Sequence, residues 1–236
     1  MIEPPSQPRP HVSGIWLPLI TPFRDQALDE PSLIKLAAHY AASAIDGLVL
    51  AATTGEGLTL DEDETQRLVD IVATTVTGRK TIFLGLCGSD TRRLARRLAA
   101  TAAWPVAGYL IACPYYSRPS QEGLRRHFTH LAEHAEKPIM LYNIPYRTGD
   151  NLANDTVFRL GQLPHIIGIK DCCADAAQSF DLIRGRPPGF AVMTGEDASF
   201  FDALAHGGDG GVLASAHADP ASFAALYRAW RAGDPA

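Results

Sequence analysis

The run IIGIKDCCAD, residues 166–175, is apolar for four positions and then places Lys170 behind them. An ammonium at the end of a buried strand is either a charge that grips an anion or, once neutral, a nucleophile toward a carbonyl carbon. A free lysine titrates near about 10.4, so attack at neutral pH requires a depression of roughly three units, or about 4 kcal/mol. Desolvation among Ile167, Ile169 and the surrounding apolar residues has the required sign. Two other stretches carry useful groups. AATTGEG, residues 51–57, pairs Thr53 and Thr54 with glycines and offers hydroxyls and backbone N–H groups to a carboxylate. Taken alone, it also reads as a polar turn with a helix cap. YNIPYRTG, residues 142–149, sets the Tyr142 phenol behind an apolar run and Arg147 five residues later. By themselves, Tyr142 fits a core position and Arg147 a solvated one.

Positioning such groups requires a scaffold, and the chain supplies a regular one. Eight short apolar runs recur along it: IWLPLITPF, GLVLAAT, TIFLGLC, GYLIACP, PIMLYNIP, IIGIKD, FAVMTGE and GVLASA. They are continuously apolar rather than alternating, the mark of parallel strands covered on both faces. Helix spacing fills the intervals, as in Leu124, Phe128, Leu131 and Ala135, or Leu94, Leu98 and Ala102. Eight such units predict an α/β fold, a closed (β/α)8 TIM barrel over residues 14–236 behind a proline-rich arm at 1–13, with the active site in the loops after the strands. An open doubly wound sheet is the alternative, but no dinucleotide fingerprint follows the first strand. The four lysines then separate. Lys35 falls in the first helical stretch, while Lys80 and Lys137 precede strands and so lie at the opposite end from the active site. Lys170 alone ends a strand and should point into the barrel mouth, because a lone charge under the outer helices would cost several kcal/mol.

Composition limits the partners. Of 236 residues, 46% are hydrophobic and 20% charged, enough to bury a large core, and the net charge of -5 gives no basic field for nucleic acid or an anionic membrane. No apolar run is long enough for a bilayer span, and the N-terminus lacks a signal-peptide core. Cys87, Cys113, Cys172 and Cys173 have neither disulfide-framework nor zinc spacing and read as reduced thiols of a cytoplasmic protein.

The stretches TTGEG, PYYSRPSQEGLRRHF, LYNIPYRTG, IIGIKD and TGEDASFFDALAHGGDGGVLAS, in that order, resemble the dihydrodipicolinate synthase and N-acetylneuraminate lyase family of pyruvate-dependent class I aldolases. The likeness runs from about residue 13 to 230. It implies a lyase without a separate cofactor or metal, in which Lys170 forms an imine with pyruvate and the derived enamine attacks an aldehyde. By the same resemblance Tyr142 shuttles protons, Thr53 relays them, and Tyr116 completes the relay from a neighbouring subunit of a homodimer or homotetramer. Thr54 matches the clamp on the pyruvate carboxylate, and Gly195 and Leu213 match positions lining the pyruvate pocket. Arg147 matches the arginine that meets the carboxylate of aspartate 4-semialdehyde, which favours the synthase branch in lysine and diaminopimelate biosynthesis over a sugar-acid lyase or a non-catalytic carbonyl-binding relative. Three positions depart from the pattern. Tyr146 stands where a small residue is common, Gly57 replaces a frequent serine, and the sequence ends at RAGDPA, so the C-terminal helical extension is expected to be short or absent.

Other signals read as structural. His127, His130 and His134 in HFTHLAEH invite a metal and hence a class II aldolase, but they flank the apolar stripe of Leu124, Phe128 and Leu131 and are expected on the solvent side. GGDGG precedes the eighth strand and reads as a turn rather than a phosphate loop. Arg92, Arg93, Arg96 and Arg97 read as a solvated basic face.

Overall fold

A computed structural model describes residues 11–233. Eight parallel strands close into a barrel: β1 (Gly14–Pro18), β4 (Gly47–Leu50), β5 (Thr81–Leu86), β6 (Gly108–Ala112), β7 (Ile139–Asn143), β8 (Ile166–Asp171), β9 (Ala191–Thr194) and β10 (Gly210–Val212). Each apolar run contributes one of them, and β10 returns to pair with β1. A small antiparallel hairpin, β2 (Phe23–Arg24) and β3 (Ala27–Leu28), follows the first strand. Its two turn residues, Asp25 and Gln26, both take positive φ, as a two-residue hairpin turn requires.

The helices are α1 (Glu30–Ala42), α2 (Glu62–Val76), α3 (Thr91–Ala100), α4 (Gln121–His134), α5 (Pro145–Thr148), α6 (Asn154–Leu160), α7 (Ala176–Gly185), α8 (Phe200–Ala205) and α9 (Pro220–Ala232). Side-chain caps start many of them. Asp61 and Glu64 form a reciprocal capping box on α2, and Asp90, Ser120, Asp175 and Asp219 accept from first-turn backbone N–H groups. These caps fix where each loop ends and so hold the loops at the top of the barrel.

Burial falls into two layers. Leu33, Leu48, Leu84, Phe128 and Ile169 pack between strands and helices, while Trp16, Phe83, Leu110, Met140, Ile167 and Met193 fill the barrel interior. Trp16 and Phe83 meet edge to face at 4.9 Å. Val12, near the end of the expected arm, joins the interior layer, while His11 is exposed and Ser13 half-buried; residues 1–10 lie outside the described residues. Ile169, expected to help desolvate Lys170 directly, faces the outer layer instead.

One irregularity sets the chemistry. Ile139 pairs with Ile166, but the next residue, Met140, pairs with Gly168, so β8 carries one extra residue. In a strand, a shift of one residue sends every following side chain to the other face. The bulge therefore brings Lys170 into register with Tyr142, both directed inward, and leaves Asp171 opposite Asn143 on the outer face.

Candidate active site

Lys170 is 5% exposed, and its ammonium nitrogen lies 4.3 Å from the centre of the Tyr142 ring. Burial pushes its pKa down. Cys172, Asp197 and Glu196 pull it back toward the charged form, and Arg147 adds to the depression. Among the described residues no hydrogen bond holds the side chain, which leaves the amine free to turn toward an incoming carbonyl. The Tyr142 phenol, also buried, is driven upward chiefly by desolvation, while the adjacent Thr53 hydroxyl acts in the opposite direction. A neutral phenol beside a deprotonation-prone amine can give and take protons.

Three loops surround the pair. The first, residues 51–60, is made mostly of bends and turns, and in it Ala51 and Glu56 adopt left-handed backbone, a conformation that costs non-glycine residues energy. It carries exposed Thr53 and half-buried Thr54. A side chain at Gly57 would place its Cβ 1.8 Å from the Ala51 carbonyl oxygen, so the loop as folded here excludes the serine expected by resemblance. The second loop contains α5, which presents Arg147. With Thr53, Glu56, Tyr115, Ile144 and Thr148, Arg147 lines a cleft of about 400 Å³. Ala52, Ala112 and Ile144 on its wall also belong to the interior layer that holds Tyr142, so the cleft opens over the barrel mouth.

The third loop follows β9. Gly195 donates its N–H to the Asp171 carbonyl at 2.8 Å, and a Cβ there would lie 2.4 Å from Lys170 Cε and 2.3 Å from Cys172 Sγ. Only glycine lets this backbone approach the lysine so closely. Glu196, the next residue, accepts from the Tyr146 hydroxyl at 3.0 Å, tying the loop after β9 to the loop after β7. The Arg147 guanidinium lies 6.0 Å over the Tyr146 ring. Burial, with Cys172 and Glu196, pushes the Tyr146 phenol up to about 12.

The structure thus gathers Lys170, Tyr142, Thr53 and Gly195, with Arg147 on the cleft and half-buried Thr54 next to Thr53 in the first loop. It does not bring in two others. Leu213 is fully buried in the layer between strands and helices, so its side chain does not line the mouth, and its neighbour Val212 faces inward instead. Tyr116 is 94% exposed with a left-handed backbone, anchored by its N–H to the Thr148 carbonyl at 3.1 Å. Its neighbour Tyr115 lines the cleft of its own chain.

Two residues escaped the sequence reading. Cys172 follows Lys170 by two positions and joins the interior layer with Tyr142; its thiol is pushed up to about 12, mainly by burial. Glu196 is the second. Counting by twos from Lys170 places Cys172 on the inward face, a signal masked by treating the cysteines only as spacing. On the outer face, buried Asp171 accepts from Asn143 at 3.1 Å and Ser179 at 2.5 Å, bracing the end of β8 against β7 and α7.

The histidines of α4 also separate. His127 is 5% exposed rather than solvated: its Nδ1 lies 2.7 Å from the Thr91 hydroxyl, and desolvation lowers its pKa to about 4. His130 and His134 remain toward the surface. GGDGG forms the turn into β10, as read, with Asp209 accepting from the Val192 N–H.

A parallel (β/α)8 barrel with a buried lysine ending its sixth barrel strand, a tyrosine in register beside it and a hydroxyl-rich loop above defines an aldolase-type lyase scaffold. Comparison with known proteins agrees. The pattern of the Dihydrodipicolinate synthetase family matches residues 11–236, and the chain belongs to that family. It is 39% identical over 223 residues to 4-hydroxy-tetrahydrodipicolinate synthase 2 of Clostridium acetobutylicum, covering 94% of this chain and 78% of the relative. The 4-hydroxy-tetrahydrodipicolinate synthase of Syntrophus aciditrophicus is 38% identical, over 94% of this chain and 76% of its own. Among solved structures, the 4-hydroxy-tetrahydrodipicolinate synthase of Methylacidiphilum fumariolicum SolV superposes with a TM-score of 0.91 at 36% identity, covering 95% of this chain and 75% of that one.

Proposed function

We propose that the chain condenses pyruvate with L-aspartate 4-semialdehyde to give 4-hydroxy-tetrahydrodipicolinate. The observation that carries this reading is Lys170, buried, without a hydrogen bond among the described residues and in register with Tyr142. The neutral amine adds to the ketone carbon of pyruvate, and loss of water from the carbinolamine gives the imine. Removal of a methyl proton yields an enamine, whose carbon bonds to the aldehyde. The amino group of the second substrate then adds to the imine carbon, closing the ring and releasing Lys170. Each step moves a proton, and Tyr142 with Thr53 is assigned to carry it, a reading supported by the Thr53 hydroxyl beside the phenol.

Arg147 on the cleft supports a second substrate bearing a carboxylate. Thr54 and the backbone of its turn are assigned to the pyruvate carboxylate, and the backbone at Gly195 and Leu213 to the walls of the pyruvate site. Exposed Tyr116 suits a role across a subunit boundary, in a homodimer or homotetramer. No cofactor beyond the covalent imine is required. No helix among the described residues is long and apolar enough to cross a membrane, and free Cys113 and Cys172, buried without partners for disulfides, suit a reducing cytoplasm.

The test is a panel of aldehydes, each offered with pyruvate while pyruvate consumption is followed. Turnover is expected with L-aspartate 4-semialdehyde. Turnover confined to sugar aldehydes would move the assignment to a sugar-acid lyase, and none with any aldehyde would leave a carbonyl-binding relative.

A further inference from the structure

The last turn of α4 carries a group of side chains that the active site does not use. His130, Glu133 and His134 stand at i, i+3 and i+4, so all three project from one face of the helix. One ligand atom from each lies within 4.8 Å of the others. The imidazoles sit with their ring centres 4.2 Å apart. His134 Nδ1 is 2.8 Å from the His130 carbonyl oxygen. A carbonyl can only accept, so Nδ1 carries the hydrogen and Nε2 presents its lone pair outward. This is the arrangement by which metal-ligating histidines are commonly oriented, with one ring nitrogen held by a carbonyl and the other free for the ion. Among the described residues no hydrogen bond or ion pair engages the His130 ring nitrogens or the Glu133 carboxylate.

We propose that His130, Glu133 and His134 form a binding site for a borderline divalent cation of the zinc class. Two imidazoles and a carboxylate are a donor set that such ions accept, with a fourth position left to water. Around a tetrahedral zinc ion, donors lie roughly 3.4 Å apart, given bonds of about 2.1 Å. Small rotations of these surface side chains achieve that closure. The position at the helix C-terminus adds to the attraction, because the last carbonyls of a helix carry partial negative charge. α4 ends where the chain enters β7 from below, so the ion sits at the opposite end of the barrel from Lys170. It pins the last turn of α4 and takes no part in the imine chemistry.

Calorimetric titration of untagged, metal-free protein with zinc chloride tests the site. One saturable equivalent is expected, weakened at least about tenfold by His134→Ala and by His130→Ala, together with a rise in Tm that both variants lose. Glu133→Gln, which keeps both imidazoles, is expected to weaken binding less. Imine formation with pyruvate is expected to be the same with and without zinc. Absence of saturable binding would overturn the site. So would binding and a Tm shift that the histidine variants leave unchanged, because the ion would then lie elsewhere, for instance on a thiol.

Discussion

Lys170 and Lys80 occupy opposite ends of one barrel, and burial lowers the pKa of both. At the lower end the Lys80 ammonium donates to the carbonyls of Ser43 and Ile45, at 2.7 and 2.6 Å. Lys137, at the same end, likewise donates to the Trp104 carbonyl. Lys170 has the face of Tyr142 beside its ammonium, and among the described residues no hydrogen bond engages it. A carbonyl acceptor favours the charged donor and fixes it in place, whereas an aromatic face and a dry wall do neither as strongly. Two lysines of the same type are therefore prepared for different work: one latches a loop to a strand, and the other is left able to lose its proton and attack.

Replacing the amine is the harshest way to test that difference. Lys170→Ala is expected to abolish turnover, and Lys170→Arg should be as inactive, since a guanidinium stays protonated and cannot form the imine. Lys80→Met should keep near-normal kcat in the same assay. Tyr142→Phe keeps the ring beside Lys170 but removes the proton carrier, and a fall in kcat of about 10²–10⁴ is expected. A kcat within a few-fold of the parent would remove Tyr142 from the chemistry.

The rim comes next in size. Arg147→Ala is expected to raise the KM for L-aspartate 4-semialdehyde about ten- to hundredfold, from a charge-assisted contact of about 1.5–3 kcal/mol, with pyruvate imine formation nearly intact. Tyr146→Phe, which breaks only the bond to Glu196, should change that KM by roughly two- to tenfold. A larger effect from Tyr146→Phe than from Arg147→Ala would reverse their assigned weights.

Stability gives the smallest effect but separates the two lysines by sign. The folded-state pKa of Lys170 lies below its unfolded value, so between the two the unfolded chain binds the extra proton and stability rises with pH. Below that window the native state bears the full penalty of the buried group. Lys170→Met should therefore stabilise the protein at neutral pH, on the order of 1–3 kcal/mol, with the advantage shrinking as pH approaches about 10.4. Lys80→Met removes two satisfied hydrogen bonds and should destabilise by about 1–2 kcal/mol. Denaturant titrations of both variants check the signs.

The barrel was legible because burial on both faces leaves an unbroken apolar run, and eight such runs separated by helix spacing admit few other folds. Lys170 could be picked out because charges almost never end such runs without a purpose. The bulge in β8 was not legible: IIGIKD carries the same letters whether or not Ile167 is an extra residue, and only the register with β7 reveals it. That the Leu213 side chain faces outward was hidden for the same reason, since inward and outward positions on a strand covered on both sides are equally apolar. His127 was hidden by helix geometry, which puts it beside Phe128 while tertiary packing against α3 decides that it is buried. Glu196 and Tyr146 lie far apart in sequence and meet only across the mouth, a contact no local pattern encodes.

Trapping the imine tests the central claim most directly. Protein incubated with pyruvate and borohydride, then digested and mapped by mass spectrometry, should carry the reduced adduct on Lys170 alone and none in Lys170→Ala. An adduct on Lys35, Lys80 or Lys137, or an unlabelled Lys170 in protein that still turns over pyruvate, would contradict the account.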